Sequence, residues 1–392
     1  MTLFRQTAAM AVIALGTLGG VAMTPAQAKT FVYVSSAADG VIDIYAMDGK
    51  TGALTPAGKV EAGKLVMPMA ISPSQKHLYA VVRSEPFKVV TFAINPATGG
   101  LTPKATAPLP DSMPYVSTDA TGRVLLTASY GSHKIAVSPI GADGLVTGAA
   151  SQVIATGKNA HAILVDRTNK FVFATNLGSD QILQFKLDAK TGALTANNPP
   201  AYKTRPDHGP RHFRISADNK YMYVLHELSG HVAQLALDAK KGTLSEMDSV
   251  ASVPPESGLV PGTALAPLSP TATAAPGANT PKADEKPKIW AADIQLTPNG
   301  RFAYTTERTQ SKIALFTVAP KTGKLTYVTN YQTEKQPRGI KVDPSGKFLL
   351  VAGEKSDRLA VFKIDPAKGT LTEAGRYPVG NGANWIEIAN LR

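Results

Sequence analysis

Apolar residues in this chain come in short runs bounded by turn formers, and no apolar stretch at helical spacing is long enough to build a helix face. Leu78-Tyr79-Ala80-Val81-Val82, Phe171-Val172-Phe173-Ala174, Tyr221-Met222-Tyr223-Val224 and Phe348-Leu349-Leu350-Val351 each predict a buried β-strand. A basic residue opens these stretches, at Lys76, Arg123, Lys170, Lys220, Arg301 and Lys347. Most follow a turn such as Ser72-Pro73-Ser74-Gln75 or Asp343-Pro344-Ser345-Gly346. A second marker, the turn Gly-x-Leu-Thr or a close variant, places leucines at Leu54, Leu101, Leu145, Leu194, Leu244, Leu325 and Leu371. Between the markers runs a third strand, for example Gln181-Ile182-Leu183-Gln184-Phe185-Lys186, and the Gly-x-Leu turn leads into a fourth. Four short strands per repeat predict a β-propeller blade.

The leucine markers are 47, 44, 49, 50, 81 and 46 residues apart. The irregular step contains residues 254–288, rich in Pro, Ala, Thr and Gly and without apolar periodicity, which read as an inserted surface loop. Without about 35 residues of loop, that step returns to the roughly 40–50-residue period of propeller blades. The two ends of the repeat array supply complementary parts of one blade. Phe31-Val32-Tyr33-Val34 matches a second strand, and Ala383-Asn384-Trp385-Ile386-Glu387-Ile388 matches the innermost strand that it lacks. The expectation is all-β: a seven-bladed propeller of four-stranded blades, closed by the C-terminal strand in the first blade. A capped β-solenoid would share the strand content but not this blade length.

Residues 1–28 carry a different pattern. Arg5 precedes the apolar run Ala8 to Met23, which is short and glycine-interrupted for a spanning helix, and Ala26-Gln27-Ala28 forms a small-residue cleavage site. This predicts a cleaved export signal rather than an anchor, a propeller over 29–392 and a periplasmic location. No membrane contact is expected once the signal is removed.

Lys+Arg number 41 against Asp+Glu 29, a formal net charge of +12, of which the signal carries only Arg5. The bases are scattered singly rather than interleaved with aromatics, so no nucleic-acid partner is expected. Absence of cysteine excludes disulfides, thiolate metal sites and a cysteine nucleophile. His208, His212, His226 and His231 with Glu227 could be grouped as metal ligands. However, His208 and His212 flank Pro210 at a spacing that needs a helix, so no metal and no cofactor are expected.

Repeat register brings distant residues onto one ring. Nine positions before each basic marker, where the innermost strand begins, stand Met67, Pro114, His161, Arg211, Ala292 and Arg338. Seven positions after it stand Arg83, Tyr130, Leu177, Glu227, Arg308 and Glu354. Innermost strands run away from one face and their neighbours return to it, so both sets should meet at one mouth of the central channel, with Asp293 beside them. Small or apolar residues, such as Ala292 and Leu177, are the ordinary occupants. Several arginines facing one concavity call for an anionic or strongly polar ligand, and His161 with Glu227 supplies proton-transfer groups. The bland alternative is a set of inter-blade salt bridges, Glu227 with Arg308 for instance.

At these positions the chain resembles the β-propeller lactonase family, which includes bacterial 6-phosphogluconolactonases and fungal 3-carboxy-cis,cis-muconate lactonizing enzymes. The resemblance spans residues 30–392 apart from the loop. It is carried by Gly209-Pro210-Arg211-His212, Glu227-Leu228, Trp290-Ala291-Ala292-Asp293-Ile294, Arg308-Thr309, Gln336-Pro337-Arg338-Gly339 and Ala352-Gly353-Glu354-Lys355-Ser356. It implies that His161, Arg211, Arg308 and Glu227 are the catalytic set. The pattern departs from the family at His226, Glu307 and Gln295, where Asn, Asp and His are usual.

The implied activity is metal-independent hydrolysis of a sugar lactone, 6-phosphogluconolactone-like or an unphosphorylated aldonolactone, by a monomeric protein. Glu227 or His161 would be the general base, and Arg211 or Arg308 would stabilise the oxyanion. Arg83, Tyr130, Asp293, Arg338 and Glu354 would bind substrate. A non-catalytic exported propeller that binds a ligand or partner is the alternative of another class. A lactonizing cycloisomerase is a third reading.

Overall fold

The computed structural model describes residues 2, 29–267 and 286–391. The export signal expected at 1–28 therefore lies, but for residue 2, outside the described residues, as does the middle of the 254–288 run. No helix among the described residues is long and apolar enough to cross a membrane.

Seven four-stranded antiparallel sheets surround one axis, as the repeat predicts. Their innermost strands are Val66–Ile71, Tyr115–Thr118, Ala160–Val165, Pro210–Ile215, Ala291–Leu296, Pro337–Val342 and Ala383–Leu391, and each touches the next in a closed ring. Ala383–Leu391 pairs with Lys29–Ser36, Phe31 opposite Ala389 and Val32 opposite Ile388, so the C-terminal strand completes the first blade. Core residues lie between adjacent sheets, where apolar faces of neighbouring blades meet.

Both sequence markers are inter-blade devices. The residue before each basic marker has positive φ: Gln75, Gly122, Asn169, Asn219, Gly300 and Gly346. In three of these turns an aspartate locks the bend; Asp166 Oδ1 accepts the N–H groups of Lys170 and Phe171, both at 2.9 Å. The marker side chain can then reach the next blade, as Arg123 does to Ala189 O and Arg301 to Pro366 O. The Gly-x-Leu turn receives a tyrosine hydroxyl from the preceding blade: Tyr33, Tyr79, Tyr223 and Tyr304 donate to the carbonyls of Gly99, Gly144, Gly323 and Gly369. Gly369 has φ +72°, and a Cβ there would fall 2.4 Å from Cδ1 of Phe302. Only glycine fits both the backbone and the gap.

The third blade departs from the expected pattern. Its outer strand begins at Gln152, not directly after Leu145, because Val146 is buried against the second blade with its N–H bonded to Thr91 Oγ1.

Candidate active site

The innermost strands are not regular where the site forms. Register shifts lie between Val66 and Met69, Ala160 and Ala162, Pro210 and Phe213, Ala291 and Ile294, and Pro337 and Gly339. A bulge re-aims side chains and breaks alternation, which lets the consecutive Arg211 and His212 both serve the channel. The second group of residues stands just past the ends of the neighbouring strands His77–Val82, Val124–Ser129, Tyr221–His226, Phe302–Glu307 and Phe348–Gly353. Strand ends and bulges thus converge on one mouth.

Arg83, Tyr130, His161, Arg211, Glu227, Arg308 and Arg338 line one concavity of about 60 Å³. Asp293 and Glu354 are near but stand behind this wall. Trp290, Leu265 and Ala266 also line it and were not among the expected site residues. A larger groove, about 830 Å³, opens on the opposite face, but its bases Lys76, Arg123 and Lys190 are exposed rather than convergent.

Glu227 is the hub. Its Oε2 accepts from Arg211 Nε at 2.6 Å and from Arg308 Nη2 at 2.8 Å, so the salt bridge weighed for Glu227 and Arg308 forms within the pocket itself. Arg211 is 0% exposed and also donates to Ala292 O, while its Nη2 is buried without a partner. Arg308 donates to the carbonyls of Trp290 and Ala291 and lies over the Trp290 ring, 3.7 Å from the centroid. Arg338 pairs with Glu354 at 3.1 Å, which Gln336 also holds. Arg83 donates to Ser112 Oγ and meets Met67 Sδ. Burial, helped by neighbouring arginines, pushes Arg83 and Arg211 down to about 9, and burial lowers Arg308 as well. All remain cationic at neutral pH. Four guanidiniums against the carboxylates of Glu227 and Glu354 leave the concavity net positive.

His161 is buried, with Nδ1 lacking a partner, and its ring meets Tyr130 and His212 edge-on. Burial, and then Arg211, holds its pKa well below 6.5, so the ring is neutral. Burial likewise pushes His212 down to about 3. Its Nδ1–H donates to Asp293 Oδ1 at 2.8 Å. Asp293 also accepts N–H groups of Ile294 and Ile340. Below the pocket the channel is filled by the rings of Tyr115, His212 and Trp385, with centroids 5.0–5.9 Å apart. This packed floor makes the site a cup.

The five candidate metal ligands divide. His208, His226 and His231 cluster within the fifth blade, whereas Glu227 lines the cup and His212 packs in its floor. Among the described residues no group of three His, Asp or Glu side chains is arranged to hold a metal ion. Glu307, one departure from the family pattern, accepts the N–H groups of Trp290, Thr309 and Gln310 and so fixes the turn that carries Arg308.

A family model described as a seven-bladed β-propeller lactonase matches residues 31–388. The chain is 37% identical over 361 residues to the 6-phosphogluconolactonase of Serratia proteamaculans, covering 92% of this chain and 99% of the relative. It is 35% identical to that of Pectobacterium carotovorum, with 92% and 98% covered. Among solved structures, the periplasmic gluconolactonase of Pseudomonas aeruginosa superposes with a TM-score of 0.78 at 23% identity, covering 93% of this chain and all of that one. The chain belongs to the seven-bladed β-propeller lactonase family.

Proposed function

We propose that this 6-phosphogluconolactonase-like lactonase hydrolyses a sugar lactone by water attack within the cup, in the periplasm after loss of residues 1–28. The observation that carries the reading is a neutral, unpaired His161 facing a net positive set of arginines ordered by Glu227. Water oxygen adds to the ring carbonyl carbon while its proton passes to His161. Negative charge grows on the carbonyl oxygen, where Arg211 and Arg308 are already fixed by Glu227 and need no reorganisation. The ring C–O bond then breaks, and the proton held by His161 goes to the departing alkoxide, leaving a hydroxy acid. Arg83 and Arg338 hold the hydroxyl-rich or anionic end. Asp293 fixes His212 against His161, and Glu354 fixes Arg338, so these two act through their neighbours.

A second reading gives the proton to Glu227. Its Oε1 carries no hydrogen bond among the described residues, unlike Oε2. Rescue separates the two. On the first reading, His161→Ala loses about 10²-fold or more in turnover and regains part of it with added imidazole. Lack of rescue, with an equal loss in Glu227→Gln and a shifted acid limb, assigns the base to Glu227. Turnover within about threefold of wild type in both variants sinks the mechanism.

Support against a pure partner-binding role comes from the surface. Val153, Met247 and Val328 are the large apolar residues exposed among the described ones, and they lie singly on outer strands.

A further inference from the structure

The insertion between the fifth and sixth blades is anchored over its described length. Gln310 Nε2 donates to Ser257 O and Gly262 N–H to Leu228 O, both at 2.8 Å. Val260 bridges Lys288 in parallel, with hydrogen bonds from Val260 N–H to Pro287 O and from Ile289 N–H to Val260 O. From Gly262 the chain crosses the mouth of the cup toward the third blade. There Tyr130 Oη donates to Leu265 O at 2.9 Å, and Pro267 rests on Gly131, where an added Cβ would meet it at 3.1 Å.

Leu265 and Ala266 thereby become part of the wall around His161, Arg211 and Glu227. Two physical consequences follow from this placement. The remaining space, about 60 Å³, is far below the several hundred Å³ of ordinary small-molecule pockets, so with the arm in place only a compact group fits beneath it. The charges are also one-sided: residues 254–267 hold one acid, Glu256, and no base, so every cation of the cup belongs to the ring. A bulky substituent under the arm gains no room there, and the arm adds no counter-charge to the guanidiniums of the ring.

We infer that Leu265 and Ala266 are specificity-determining residues that confine the site to compact lactones and disfavour those bearing a bulky exocyclic group such as a phosphate. This rests on the hydrolytic reading above for its chemistry, and on the arm's placement for its selectivity. Tyr130 contributes through its hydroxyl, which ties the arm down rather than facing the ligand.

The test compares wild type with Leu265→Gly/Ala266→Gly, which opens the wall, and Ala266→Trp, which thickens it. Hydrolysis of glucono-1,5-lactone and its 6-phosphate is measured, and binding of gluconate and 6-phosphogluconate is followed by titration calorimetry. The opened variant should raise the phosphorylated-to-unphosphorylated ratio, in kcat/KM and in affinity, by about tenfold, and Ala266→Trp should lower it. Ratios within about twofold of wild type in both variants overturn the wall and, if hydrolysis persists, leave the hydrolytic reading intact. An absence of hydrolysis with the affinity ratio still shifting removes the hydrolytic reading and keeps the wall. No hydrolysis and no binding in any of the three proteins overturns both.

Discussion

Arg211, wholly buried, places its Nε 2.6 Å from Oε2 of Glu227, which stands just past the end of the adjacent strand of the fifth blade. Arg308, from the next blade, closes on the same oxygen. Removing one partner of such a group leaves buried charge without compensation. Glu227→Ala should therefore destabilise the fold by about 3–5 kcal/mol, well beyond the loss of a surface pair. Chemical denaturation measures it; a loss below about 1 kcal/mol would show that solvent reaches both guanidiniums.

Buried neutral histidines make stability fall with acid. His161 lies well below 6.5, and His212 and His226 are pushed down to about 3, burial being the largest cause for each. Below pH 6.5 the unfolded chain takes up protons that the folded one refuses, so unfolding becomes easier as pH drops. Each such histidine contributes about 1.4 kcal/mol per pH unit between 6.5 and its folded value, and nothing above 6.5. The Tm should be level from pH 8 to 7 and decline from 6.5 to 5, with a shallower decline in His226→Gln.

The Gly-x-Leu turns make a sharper structural prediction. Gly369→Ala forces a methyl into Phe302 on a left-handed backbone and should cost about 2 kcal/mol or more. Gly148→Ala, where nothing lies within 4 Å, should change stability by less than about 0.5 kcal/mol. Equal effects in thermal melts would remove the inter-blade role of the turn.

Blade number, ring closure and the cup's arginines were legible because a radial repeat converts equal offsets into equal positions. His161, Arg211 and Arg338 share an offset and also share a bulge, so the same distortion occurs in all three of their blades and the count survives it. The bulges themselves had no sequence sign. For that reason repeat register alone puts Asp293 beside the cup's lining, whereas it sits behind His212. Trp290 was visible in a motif, but its stacking on Arg308 depends on the turn fixed by Glu307. Leu265 and Ala266 were illegible. A segment without periodicity gives no clue to where it returns, and its tie to Tyr130 uses a backbone carbonyl that any residue could supply.

The most direct measurement is acid release in a pH-stat from glucono-1,5-lactone by the protein spanning residues 29–392. The account predicts release well above the spontaneous rate, reduced about 10²-fold or more in His161→Ala. Release at the spontaneous rate from this lactone, its 6-phosphate and muconolactones alike would contradict it and leave a propeller that binds without catalysing.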